Sequence, residues 1–414
     1  MLALSPITSL LEQEKYRQNI LQDEARTDRL CSIAESLGNM SQSCRIAVCI
    51  PAYRESSLMR NTLENYTIHQ VASDGTPLDP ELFEINILIN SPHRNSVRDI
   101  VMFEVIEEFC ADYPQYRINV AEVVYDFPDK AVMGLIFKDI ADAVIHRNLS
   151  RDVTDEEKSR LILRTAGADV EALNPLLLSR TLRIFSDTAI VAHRGETRLP
   201  PQLLESFPLL HVMQTFAVYL LRQFKGKQTT NGPFSYTAEA YAAVDGFDPG
   251  MKISEEVDLA NRIFLYSRES KEDLVFFCDD VKDVINNPRR QVHALFGGIG
   301  MAGRYRDFGT LQNEEKVHSM SLSWRDICSE LLPHSCLLTP ENLSREVSGY
   351  YRTYLRIAVG KKIPLETIDV IFGRWFELCH ITEYSTHRSS FMCDNRIEIH
   401  NLDGLLELLE EQNF

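Results

Sequence analysis

The chain has 414 residues, 44% of them hydrophobic, which is enough to bury a sizeable core and suits two or three domains or one large domain with appendages. Sixty acidic against 43 basic residues leave a formal net charge of −17, which excludes a general nucleic-acid coat, since phosphate binding needs an electropositive face. The nine cysteines are dispersed with no Cys-x-x-Cys spacing, which excludes a disulfide framework and a zinc knuckle and points to reduced thiols in a cytoplasmic protein.

In chain order, residues 5–40 read as helical, with Ser5 as cap and Pro6 in the first turn. The start has no basic segment followed by an apolar core, so no secretory signal is expected. The run RIAVCI at 45–50 is a buried strand stopped by Pro51, which has no backbone donor. A helix over 56–70 places Met59, Leu63 and Tyr66 on one face. FEINILIN at 83–90 is the second strand, and a helix from about 97 to 110 carries Val97, Val101 and Val105 in register. YRINVAEVV at 116–124 is the third strand and 131–146 the third helix.

Three strand–helix alternations before residue 150 call for a mainly parallel sheet with right-handed crossovers. The charged stretch 148–160 reads as a solvated loop or helix end, and LILRTAGADVEALNP at 161–175 resumes with a strand ending in Asp169. The segment FPLLHVMQTFAVYLL at 207–221, broken by His211 and Gln214, falls short of the roughly 20 apolar residues of a membrane span. It suits a buried amphipathic helix, with docking on a membrane surface as the alternative. From about 316 the chain turns to capped, amphipathic helical patterns. The expected organisation is therefore a helical segment over 1–44, an α/β domain over 45–315 and a helical region over 316–414.

Several stretches then fall into an ordered set: VCIPAYRES at 48–56, GADVEALNP at 167–175, TTNGPFSYTAEAYAAVDGFDP at 229–249 and SEEVDL at 254–259. Together they resemble the motifs of the family 2 glycosyltransferases over about residues 45–310. The resemblance implies the GT-A fold, a Rossmann-like mixed, mainly parallel sheet flanked by helices, here with a helical C-terminal appendix. It implies a nucleotide-diphosphate sugar donor, a uridine diphosphate sugar in the first place, and transfer to an acceptor hydroxyl with inversion. Pro51, Ala52, Tyr53 and Glu55 stand where the family wraps the nucleotide, and Asn90 where many members have an aspartate facing it. Lys130 is the phosphate candidate at a helix entry, whereas Lys138, mid-helix, reads as solvent exposed. Gly134 suits either close approach of the nucleotide or helix packing.

A departing diphosphate leaves negative charge to be neutralised, and oxygen ligands suit Mg2+ or Mn2+. Asp169 aligns with the second aspartate of the family's Asp-x-Asp, so it is the expected metal ligand, with a turn-capping aspartate as the alternative. The first aspartate is replaced by Gly167, which removes one carboxylate. His293 is the second metal candidate, and Arg289 and Arg290 are suited to the diphosphate; the alternative is an ordinary basic surface loop. Glu256 aligns with the family's base, the alternative being a first-turn charge that favours the helix start. Asp258 is expected to brace the same helix against Arg262.

These residues lead to a cytoplasmic, metal-dependent glycosyltransferase with an unidentified acceptor, no nucleic-acid partner and no transmembrane segment. The aromatic surplus of the tail makes a homodimer part of the expectation. Two other classes stay open. One is a degenerate transferase acting as a binding or scaffold protein. The other is a sugar-nucleotide nucleotidyltransferase, although PAYRESS is not the Gly-rich basic loop that such an enzyme carries after its first strand.

Overall fold

In the computed structural model, described here over residues 6–21, 24–91, 100–125, 133–202, 233–251, 255–270 and 273–287, strand and helix alternate as the apolar periodicity requires. Helices α1 (Pro6–Ile20) and α2 (Glu24–Leu37) precede β1 (Ile46–Ala52), α3 (Ser56–Tyr66), β2 (Phe83–Ser91), α4 (Ile100–Asp112) and β3 (Ile118–Val124). Then come α5 (Met133–Leu149), α6 (Asp155–Ser159), β4 (Ile162–Thr165), β5 (Val170–Leu173), α7 (Leu177–Ile184) and β6 (Ile190–Arg198). Strand β7 (Phe234–Thr237), α8 (Ala238–Ala243), α9 (Glu255–Glu269) and β8 (Val275–Asn286) complete the described elements.

All eight strands join one sheet in the order β3-β2-β1-β4-β7-β6-β8-β5. Pairings β1–β2, β1–β4, β2–β3 and β6–β8 are parallel, and β4–β7, β6–β7 and β5–β8 antiparallel. The order reverses between β1 and β4, which sets a topological switch point at their carboxyl ends, the place where open α/β sheets bind ligands. This sheet lies within a compact unit made of Met1–Arg198 and Asn231–Asn286.

Alternation along the strands gives the sheet two buried faces. Ala47, Cys49, Leu163, Phe234 and Tyr236 point to a core shared with α5, α8, α9 and the N-terminal helices. Ile46, Val48, Ile50, Ile85, Ile87 and Ile162 point to the other, with Met59, Leu63 and Tyr66 of α3 and Leu177 and Leu178 of α7. The 59/63/66 face of α3 is thus buried as its spacing requires.

Elsewhere the local reading shifts. Strand β1 runs through Pro51 to Ala52, because β4 has already left that side of β1 and asks for no N–H there. Strand β4 stops at Thr165, so Asp169 lies in the link to β5 and not at a strand end. Helix α4 buries Met102, Ile106 and Phe109, one position from the expected stripe, and Val101 is 56% exposed. The charged connector contains α6, started by a capping box between Thr154 and Glu157. Lys138 is buried, against the expectation of a solvated lysine, because its stem crosses to α1. A Cβ on Gly134 would lie 2.1 Å from the Asp248 carbonyl oxygen, so this glycine lets α5 pack on the loop after α8.

The first core contains buried charge as well as apolar side chains. Arg147 Nη1 donates to Glu84 Oε1 at 2.7 Å and to Asn86 Oδ1 at 2.9 Å, and Nη2 donates to Glu84 Oε2 at 3.2 Å. Tyr16 and Tyr241 both donate to Asp142 Oδ1, at 2.7 and 3.0 Å, and Arg26 pairs with the same carboxylate. Lys138 Nζ donates to Tyr16 Oη and to the Asp245 carbonyl, each at 2.7 Å, and burial pushes its pKa down.

Removing one partner of a buried ion pair strands the other. Arg147→Ala should therefore lower unfolding free energy by about 3–5 kcal/mol, while Arg147→Met combined with Glu84→Leu should lose much less. Urea denaturation followed by circular dichroism checks this, and equal losses would mean that packing volume and not charge pairing governs the position.

Candidate functional site

Strands β1 and β4 are paired as far as Cys49–Thr165, and the last shared bond runs from the Ala166 amide to the Cys49 carbonyl at 3.1 Å. Beyond it, β1 continues beside β2 alone to the Ala52–Ile89 pair. Pairing between β1 and β4 ends at Cys49–Thr165; residues 51–55 continue along and past β1 and 166–169 follow β4, with Ala52, Ala166 and Ala168 buried in the second core.

On the β1 side, Arg54 takes a left-handed φ of 54° and lays its guanidinium 5.1 Å from the centre of the Tyr53 ring. That single turn reverses the chain into α3. Glu55 sits at its N-terminal boundary, 4% exposed, with its carbonyl accepting from the Leu58 and Met59 amides. Asn90, buried, lies on β2 one residue beyond the Ala52–Ile89 pair, at the same carboxyl edge of the sheet, with β1 between it and β4. The structure thus brings Pro51, Ala52, Tyr53, Glu55 and Asn90 to one edge.

On the β4 side, the polar face of α3 pins the link that carries Asp169. Thr62 Oγ1 donates to the Ala168 carbonyl at 2.9 Å and accepts from the Val170 amide at 3.3 Å. Asn61 Nδ2 donates to the carbonyls of Val170 and Glu171 at 2.6 and 3.1 Å, and Asn65 Oδ1 accepts from the Leu173 amide at 2.9 Å. Asp169 itself is half-buried. A Cβ at Gly167 would fall 2.7 Å from Asp169 Oδ1, so the Asp169 carboxylate lies back over the position where Asp-x-Asp would place its other acid. Among the described residues, no group of three or more His, Cys, Asp or Glu side chains stands together as a metal-binding set. Lys130, Arg289, Arg290 and His293 lie outside the described residues.

Glu256 is in the first turn of α9, where Arg194 of β6 meets it: Nη1 donates to the Glu256 carbonyl at 3.3 Å, and Nη2 lies 3.9 Å from Oε2. Arg194 is opposite Phe234, and Phe234 opposite Thr165, the last residue of β4. Strands are about 4.8 Å apart, so Arg194 is about 10 Å across the sheet from the end of β4, at the level of the carboxyl edge of β4. Asp258 braces α9 against Arg262, Nε to Oδ2 at 2.9 Å.

The sequence reading missed the buried cations beneath this edge. Arg164, Ser235 and His193 stand in one cross-strand row on the second face, and Arg164 Nη1 donates to Ser235 Oγ at 2.9 Å. Burial pushes the Tyr66 hydroxyl up, and the neighbouring Arg164 guanidinium opposes that shift. His193 Nε2 is 3.0 Å from Asp279 Oδ2, and Arg180 pairs with both Asp279 and Asp283. The available signal was the run His193-Arg194-Gly195-Glu196, which places ionisable groups on both faces of a central strand. A cavity of about 380 Å3, lined by Lys15, Tyr16, Asn19, Arg26 and Asp245, shares no residue with 51–55 or 166–169.

No protein-family model and no curated protein sequence matches the chain. Among solved structures, glucosyl-3-phosphoglycerate synthase from Mycobacterium tuberculosis in complex with uridine diphosphate is similar at 14% identity, with 68% of this chain and 84% of that chain covered and a TM-score of 0.34. Mouse xyloside xylosyltransferase 1 in its apo form is similar at 10% identity, with 56% and 84% covered and a TM-score of 0.25. The likeness concerns the course of the chain, and the site rests on this chain's own residues. Among the described residues, no helix is long and apolar enough to cross a membrane.

Burial pushes the Asp279 carboxyl up, but the hydrogen bonds and positive charge of His193 and Arg180 outweigh it and hold the group at about 2, against 3.8 for a free aspartate. A carboxylate depressed in the folded state contributes stability above its unfolded value and loses it as pH falls through the folded value. Asp279→Asn should therefore destabilise the protein at neutral pH and remove part of the acid loss between about pH 4 and pH 2. Thermal unfolding across that range checks this; an unchanged acid slope would contradict it.

Proposed function

We propose that the chain is a GT-A glycosyltransferase resembling family 2, which moves a sugar from a nucleotide-diphosphate donor to an acceptor hydroxyl with inversion. The observation that supports this reading is the end of β1–β4 pairing at Cys49–Thr165, at the topological switch point of the sheet, with Tyr53 and Glu55 following β1, Asn90 near the end of β2 and Asp169 following β4. Tyr53 offers a ring face for the base of a uridine diphosphate sugar, and Glu55 and Asn90 offer acceptors and donors for its polar groups. Pro51 and Ala52 form the backbone floor. Lys130, Arg289 and Arg290 are the cations for the diphosphate.

Glu256 takes the proton of the acceptor hydroxyl as its oxygen bonds to the anomeric carbon and the bond to the diphosphate oxygen breaks. Asp169, with His293 as second ligand, would hold Mn2+ or Mg2+, whose charge neutralises the leaving diphosphate. Asp169 fits such an ion as one carboxylate ligand, the remaining oxygens coming from diphosphate and water. That thin protein set favours metal binding together with nucleotide over metal binding alone. It also supports the second reading, a sugar-nucleotide binding protein that has lost transfer.

Calorimetric titration of Mn2+ should show weak binding to the free protein and strong binding with uridine diphosphate present, and Asp169→Ala should abolish the difference. Unchanged Mn2+ binding in Asp169→Ala sinks the metal site. Glu256→Gln keeps shape but cannot accept a proton, so donor binding should persist while transfer falls by about two orders of magnitude. A near-normal rate in that variant removes Glu256 as base. Donor binding with no transfer in the wild-type chain selects the binding-protein reading.

A further inference from the structure

The base in this reading sits at the start of a helix, and one buried arginine contacts that start. Arg194 is 1% exposed, yet it issues from the middle of β6, flanked in register by Phe234 and Cys278. Its guanidinium carbon stands 5.1 Å from the centre of the Phe234 ring, and that ring stacks on Phe276 at 5.9 Å, so an aromatic floor fixes where the fork points. From there one nitrogen donates to the Glu256 carbonyl and the other faces the Glu256 carboxylate at 3.9 Å. Main chain and side chain of the same residue are thus addressed by one planar group, which a lysine could not do. Among the described residues, Arg194 is the one cation paired with Glu256.

Resting on the assignment of Glu256 as base, we infer that Arg194 is the positioning residue of the proton transfer: it sets the place of the α9 start and the direction of the Glu256 carboxylate toward the acceptor oxygen. Arg194 touches no substrate in this scheme. Burial of the cation lowers its pKa and the Glu256 charge opposes that shift, which agrees with a pair formed at the bottom of the site. A carboxylate that abstracts a proton must lie within about 3 Å of it, so a shift of an ångström at the helix start costs rate while leaving the nucleotide-binding residues after β1 and β4 in place.

The test is a double-mutant cycle on the full chain. Wild type, Arg194→Met, Glu256→Gln and the double variant are assayed for nucleotide diphosphate release from a panel of uridine, guanosine, adenosine and thymidine diphosphate sugars, with Mn2+ and with water as acceptor. Water attack forms the C1–O bond, its proton passes to Glu256, and the bond pair to the phosphate oxygen leaves with the diphosphate. Arg194→Met should lower kcat about a hundredfold with donor KM within about threefold of wild type. In the Glu256→Gln background the same change should cost less than about threefold, because the carboxylate it orients is already gone. Arg194→Lys should recover part of the rate. An equal loss in both backgrounds, or a loss in KM alone, overturns the inference and leaves Glu256 as base. A Glu256→Gln variant of normal rate, or no turnover with any donor of the panel, overturns the assignment of the base and this inference with it. Should Arg194→Met fail to fold, Arg194→Lys carries the same cycle.

Discussion

Two neighbouring parallel strands that separate must find new partners for the backbone groups they release, and this requirement shapes the whole edge of the sheet. Past Cys49–Thr165, Pro51 brings no N–H to be satisfied, and β1 keeps its other side on β2. On the β4 side, β8 pairs one side of 170–173, and Asn61, Thr62 and Asn65 of α3 take carbonyls and amides of 168–173 on the other. The helix therefore does two jobs with two faces: Met59, Leu63 and Tyr66 bury against the sheet, and the polar stripe fixes the link between β4 and β5. Gln70 extends the seam, donating to the Asn174 carbonyl and accepting from the Leu178 amide.

Charge beneath the apolar layers sets the second level of organisation. The Glu84–Arg147–Asn86 cluster ties β2 to α5, the Asp142 cluster ties α5 to α1, α2 and α8, and Arg194 ties β6 to α9. Each of these joins separate elements through groups that tolerate little displacement in a low-dielectric interior. Register between layers is thereby specified as well as stabilised.

The sheet was legible in the sequence because its strands, RIAVCI and FEINILIN, are runs of β-branched and aliphatic residues bounded by proline and polar breaks. The edge cluster at 51–55 was legible for the same reason: a strand that ends abruptly leaves a short list of residues at its carboxyl end. What stayed hidden were side chains whose environment is set by distant chain. Lys138 on α5 has the spacing of a solvated residue, and only Tyr16, 122 positions away, explains its burial. Val101 belongs to an apolar repeat as good as that of Met102, and the sheet beneath α4 chose the latter. Arg194 looks like a polar interruption of a strand until Phe234 and α9 close over it. The absence of an acid at Gly167 is plain in the sequence; that the Asp169 side chain lies over the space a Cβ there would take is not.

The place of the N-terminal helices has a consequence for how the chain is made. Tyr16 finds its acceptor in Asp142, 126 residues later, and its ring partner Tyr241 later still. At about 5–20 residues per second, α1 leaves the ribosome roughly 6–25 seconds before that carboxylate exists, and a helix of 15 residues is marginal in water on its own. Helix α1 is therefore among the last of these elements to settle, and during that interval Tyr16 and Ile20, buried in the finished fold, stand exposed to water.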